Sequence, residues 1–307
     1  MPAVEEAVRD ARHYFDPRII SQLKGLDLRV RRVVEGYMIG LHKSPFRGLS
    51  IEFAEHRPYT PGDDLRRLDW KIYGKSDRYV IKQQEQETNL AAQFVLDCSE
   101  SMTYQGGGPM SKYDYAATLA ASLAWIVINQ QDQAGLTLFD ADIRVGIPPK
   151  GTGGHYRSMV QAMESVSPGA ATMVGATLAK VGAQLKRRGL VIIISDFLDE
   201  IEPISYGLNR LSFDGHEVLL LHIADPYERD FPFAGPSIIQ GLENTGRVVC
   251  DPSDLRGAYL EARARHIEEL RDACRRLQFD MWQCVTDQPM DAVITRILAS
   301  RTRVRRY

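Results

Sequence analysis

Three short apolar runs decide what this chain can fold into: LAAQFVLD (90–97), LVIIISD (190–196) and HEVLLLHIAD (216–225). Each is short for a buried helix, and the second is dominated by β-branched residues. A strand without polar alternation is covered on both faces, the condition found inside a parallel sheet. Between and after these runs come stretches with helical spacing: Lys112 to Gln131, Tyr156 to Val166, Val174 to Leu185 and the charged Gly257 to Leu277. AGLTLFDADIRVGI (134–147) reads as a hairpin, MWQCVTD as a last strand and PMDAVITRILASR as a last helix. Strands alternating with helices predict an α/β fold, a three-layer sandwich with a mainly parallel sheet and helices on both faces.

Residues 1–88 follow another pattern, a helix-like segment from Arg18 to Leu41 and then an irregular stretch with a turn signal at Thr60-Pro61-Gly62-Asp63. They are expected to form an extension packed on a sheet domain of residues 89–307. The net charge of −2 does not call for nucleic acid or an acidic membrane as partner. Cys98, Cys250, Cys274 and Cys284 are scattered, as reduced thiols would be. The N-terminus mixes acids with bases and has no apolar core, unlike a signal peptide. The longest lipid-like run, Ala116 to Ile128, covers about 13 residues where roughly 20 span a bilayer. A cytoplasmic protein is expected.

The chemistry concentrates where the strands end. Asp97, Ser99 and Ser101 stand at alternate positions in DCSES, and Asp196 closes IIISD. Ligands of open parallel sheets bind outside the carboxyl ends of the strands. Two carboxylates together there repel unless a cation or a proton intervenes. Carboxylate and hydroxyl oxygens suit a small hard cation, Mg2+ or Mn2+. The bland alternative is that the aspartate and serines only cap a helix or close a turn.

D-x-S-x-S after an apolar strand resembles the first element of the metal-ion-dependent adhesion site of von Willebrand factor A domains. The resemblance implies a metal set of Asp97, Ser99, Ser101, Thr172 from the SPGAATMVGA loop, and Asp196. EFAEHRPYTPGDDLRRLDWKIYGKSDRYVIKQQEQET followed by VLDCSESM, together with PSIIQGLENTGRVVCDPSDLRGAY, is similar to the bacterial "domain of unknown function 58" family, in its branch without membrane helices. That family implies a non-catalytic protein-binding module whose open metal position takes an acidic side chain, working with an AAA+ ATPase of the MoxR type in chaperone-like complex assembly.

Two other functions compete. A Mg2+-dependent phosphohydrolase would use Asp97 as nucleophile, yet the general acid expected two residues later is replaced by Ser99, and no nucleophile elbow or phosphate loop occurs. Nucleic-acid binding would use segment 56–82, where seven Lys/Arg face four acids among Tyr59, Trp70, Tyr73 and Tyr79. Local Asp–Arg pairing and aromatic packing explain that segment as well.

Overall fold

The computed structural model describes residues 16–43, 56–60, 70–76, 79–82, 90–185, 187–240 and 246–304. The first elements are α1 (Pro17–Ser21), α2 (Leu26–Lys43), β1 (His56–Pro58), α3 (Trp70–Ser76) and β2 (Val80–Lys82). Next come β3 (Ala91–Asp97), α4 (Lys112–Asn129), β4 (Gln133–Phe139), β5 (Ile143–Lys150), α5 (Gly153–Ser165) and α6 (Val174–Gln184). Then follow β6 (Leu190–Ser195), α7 (Ile201–Phe213), β7 (Glu217–Ala224), α8 (Pro226–Asp230), β8 (Ser237–Gln240) and β9 (Arg247–Cys250). The last are α9 (Pro252–Arg276), β10 (Asp280–Val285) and α10 (Met290–Val304).

One six-stranded sheet, in the order β10-β7-β6-β3-β4-β5, organises the larger unit. All neighbours are parallel except β4 and β5, the hairpin expected from AGLTLFDADIRVGI. The apolar runs are its middle: every residue of β6, and all but the first of β3 and β7, is buried. At the edge, β5 alternates half-buried with exposed residues. Its Pro148 and Pro149 carry no N–H with which a further strand could pair.

Side chains leave a strand on alternate faces, and the two cores obey that rule. Phe94, Leu96, Ile192, Ile194, Leu219 and Leu221 face one layer, which α2, α4, α5 and α10 complete. Val95, Val191, Ile193, Val218 and Leu220 face the other, completed by α6, α7 and α9. Helix α4 is buried on nearly all sides, as a helix apolar all round must be. This is the expected three-layer α/β sandwich with a mainly parallel sheet, the architecture that the von Willebrand factor A resemblance implies.

The chain divides into one compact unit of residues 1–40 with 90–307, and a second of residues 41–89. The expected 1–88 extension thus falls into two parts. Its first part places Val30, Val33 and Val34 of α2 in the core under the sheet. The second unit pairs β1 with β2 and stacks Tyr73 on Tyr79, ring centroids 4.6 Å apart, with Trp70 edge-on to Tyr73.

Local differences have local causes. The helix-like stretch from Arg18 breaks at Gly25, where a φ of 89° excludes helix continuation. The glycine-rich stretch KGTGGH opens α5, with Thr152 as cap accepting from the His155 amide at 3.3 Å. The turn expected at Thr60-Pro61-Gly62-Asp63 lies outside the described residues beyond Thr60.

Candidate metal centre

Parallel strands β3, β6 and β7 end at the same edge, and the site is built where their chains leave the sheet. Asp97 is fully buried there. Its Oδ1 accepts from the Ser99 amide at 2.9 Å, and its Oδ2 accepts from the Ser195 hydroxyl at 2.6 Å and the Thr172 hydroxyl at 3.3 Å. The Ser99 and Ser101 hydroxyls lie 3.1 Å apart. The nearby Thr177 sits in α6 with its hydroxyl buried.

The Thr172 loop is held to the DCSES turn by backbone bonds. Gly169 N–H donates to the Cys98 carbonyl at 3.0 Å, and Glu100 N–H to that of Ala170 at 2.9 Å. Met173 N–H donates to the Asp140 carbonyl at 3.2 Å, so the β4–β5 turn joins the same assembly. Asp140 and Asp142 serve that turn. Cys98 points away, its thiol against the Phe139 carbonyl at 3.1 Å, and burial pushes its pKa up to about 12.

Asp196 arrives by a strained route. The next residue, Phe197, is fully buried at φ 52°, a left-handed conformation costly for a bulky side chain. It is held from both sides: its N–H donates to Ser195 Oγ at 2.9 Å, and its carbonyl accepts from His266 Nε2 of α9 at 2.8 Å. The turn leaves Asp196 Oδ1 accepting from the Leu198 amide at 3.3 Å.

The sequence reading had no place for Lys112, which the structure puts beside Asp196. Lys112 is 0% exposed. Its ammonium donates to Asp196 Oδ2 at 2.7 Å and to Glu228 Oε1 at 2.6 Å. Glu228 closes a capping box on α8, its Oε2 accepting from the Asp225 amide at 2.9 Å. Asp225, also fully buried, accepts from three successive amides, Gly106 at 3.1 Å, Gly107 at 2.8 Å and Gly108 at 3.1 Å, and from Tyr227. A continuous polar chain thus runs from β6 through α4 and α8 to the glycine loop after DCSES.

The charges are arranged unequally. Burial, and next the neighbouring Asp196, raise the Asp97 carboxyl to about 7. Burial acts on Asp196 in the same sense, but the Lys112 charge and hydrogen bonds from Lys112, Ser101 and Leu198 hold it below the usual carboxylate range. For Lys112 itself burial favours the neutral form, yet Asp196 and Glu228 carry its pKa above that of an ordinary lysine. Asp97 is therefore the carboxylate without a cation.

Among the described residues no group of three His, Cys, Asp or Glu side chains is arranged to hold a metal. The oxygens gathered here are two carboxylates and the hydroxyls of Ser99, Ser101 and Thr172. This all-oxygen set fits Mg2+ or Mn2+ and does not fit a thiophilic ion. On the rim, Met173 and Leu198 are large apolar side chains left 50% and 55% exposed.

Among the described residues no helix is long and apolar enough to cross a membrane. Uncharacterized proteins of Mycobacterium tuberculosis and Mycobacterium bovis are each 27% identical to the chain over 296 residues, covering 94% of it and 91% of their own length. Among solved structures, the hypothetical protein BatB from Bacteroides thetaiotaomicron superposes with a TM-score of 0.47 at 16% identity, over 70% of this chain and 99% of its own. The SpRpn10 VWA domain does so at 0.44 and 12% identity, over 68% and 95%. The family model described as "Protein of unknown function DUF58" matches residues 55–269, well over half of the sequence, and the chain belongs to that family.

Proposed function

We propose that the chain is a non-catalytic, metal-dependent protein-binding module. One Mg2+ or Mn2+, held by Asp97, Ser99, Ser101, Thr172 and Asp196, would receive an acidic side chain from a partner. The observation that carries this reading is the gathering of oxygen donors from three separate loops around one buried carboxylate, Asp97, at the carboxyl edge of a parallel sheet. When bound, the ion would supply an electrophilic position for that side chain. The exposed Met173 and Leu198 would seat apolar groups flanking it. Two carboxylates, one already paired with Lys112, and three neutral hydroxyls leave a divalent ion short of full neutralisation, so an anionic ligand is favoured. The non-catalytic assignment is supported by Ser99 in the place of a general acid. The family resemblance points to a MoxR-type AAA+ ATPase as the partner, in cytoplasmic complex assembly.

Thermal melts in Mg2+, Mn2+ and EDTA test the site. At a hundred times the dissociation constant a bound ion stabilises by about 2.7 kcal/mol, or roughly 5 °C for a chain of this size. The shift is expected in the wild type and absent in Asp97→Ala. A wild type that melts identically in metal and in chelator would remove the metal from the proposal.

The proposed ion should also bind in a pH-dependent way. Asp97 titrates near 7 when folded without metal, against an ordinary value of 3.8. A carboxyl raised on folding contributes stability that is present below the unfolded value and lost as pH rises through the folded one. The metal-free protein therefore loses this contribution between about pH 4 and 8, whereas a cation that needs the carboxylate gains. Mn2+ affinity measured by titration is expected to rise about tenfold from pH 6 to pH 8 and to level off above. A flat profile would mean that Asp97 does not ligate the ion.

A further inference from the structure

Lys112 is the one feature of this site that a metal set of carboxylates and hydroxyls does not require. A lysine at the start of a helix faces the positive end of the helix dipole, where a cation is disfavoured. Taking an ammonium wholly out of water costs several kcal/mol unless it is well paired. Here it is paired twice, at 2.6 and 2.7 Å, by acids from two different elements. The Tyr104 ring centroid lies 5.9 Å from it. One of the acids, Asp196, is a residue that would face the divalent ion.

We infer that Lys112 acts as a resident cation that competes with the divalent ion for Asp196. Its ammonium takes one oxygen of that carboxylate and offsets its charge, so that Lys112 lowers the affinity of the site for metal while stabilising the metal-free fold. Glu228 moderates the competition. It shares the ammonium with Asp196, and its removal leaves the whole of the lysine charge to the metal site. The inference rests on the metal-binding reading above and adds to it a residue that sets how tightly the ion is held. It also separates two roles that one residue rarely separates, because stability and metal affinity should move in opposite directions when Lys112 is changed.

The test is a Mn2+ titration of the full chain at pH 7.5, followed by the electron paramagnetic resonance signal of the free ion. Folding of each variant is checked by circular dichroism. Lys112→Met is expected to bind Mn2+ at least about tenfold more tightly than the wild type, and Glu228→Gln several-fold more weakly, the direction in each case set by the local charge change. Lys112→Arg keeps the charge and should stay near the wild type. In the double variant Lys112→Met/Asp196→Asn the gain should disappear, because it passes through the freed carboxylate. A folded Lys112→Met that binds equally or more weakly would make Lys112 a structural residue only. If that variant fails to fold, Glu228→Gln decides, since unchanged affinity there overturns the inference. Absence of Mn2+ binding in the wild type and in every variant would instead sink the metal reading, and this inference with it. Binding by the wild type with the variants in the wrong order sinks the competition alone.

Discussion

Lys112→Ala is expected to cost the metal-free protein about 3–5 kcal/mol, the range for breaking a buried ion pair from one side. The figure follows from what is left behind. Asp196 and Glu228 lose the ammonium that both contact, and Asp196 has almost no access to water with which to replace it. Native domains are stable by only about 5–15 kcal/mol, so the variant should unfold at a visibly lower urea concentration in EDTA at pH 7.5. Adding Asp196→Asn removes one of the stranded charges and should restore part of the loss, because removing both partners costs less than removing one. A loss below about 1 kcal/mol for the single variant, the scale of an exposed pair, would show that water reaches the cluster.

Asp225→Ala should be comparably severe, with a local signature. One buried carboxylate accepts from the amides of Gly106, Gly107, Gly108 and Tyr227 in part-buried hydrogen bonds, and a hydrogen bond to a charged group contributes about 1.5–3 kcal/mol. The loop cannot easily repack. A side chain at Gly107 would collide with the Tyr227 ring, and one at Gly108 with the Thr286 hydroxyl. The expected result is a loss of about 3 kcal/mol or more, with hydrogen exchange at residues 106–108 faster by orders of magnitude. Unchanged protection of those amides would mean that the loop holds its shape without the carboxylate.

The sheet was legible in the sequence because burial on both faces leaves a mark at every position, as in LVIIIS. Asp97, Ser99, Ser101 and Asp196 were legible for a related reason, since polar residues at the end of such a strand break a strong pattern. Register was not. Leu96 pairs with Ile194, which brings Asp97 level with Ser195 and leaves Asp196 one residue beyond. The two aspartates that look equivalent in sequence therefore meet different neighbours, hydroxyls in one case and Lys112 in the other. Lys112 did leave a trace, a lone cation on the first turn of an otherwise apolar helix, against the dipole. Glu228 and His266 left none, because each looks like an ordinary charged-helix residue until the fold brings it to the site. Helix α7 is not among the stretches with helical spacing named from the sequence, and it holds both Pro203 and Gly207. Proline is tolerated there because the amides of a first turn have no helical acceptor to lose.

The wide spacing of these residues along the chain has a consequence for when the site exists. Thr172 and Asp97 are 75 positions apart, Ser195 and Asp97 98, and Lys112 and Glu228 116. A growing polypeptide that has emerged only one residue past β6 already contains all five oxygen-bearing residues. It still lacks Glu228, which shares the lysine, and His266, which pins the Phe197 turn. The site reaches its final form only after α9 has docked, late in synthesis. Under the proposed function, a partner that recognises this edge would meet it in its final form only on a chain folded through α9.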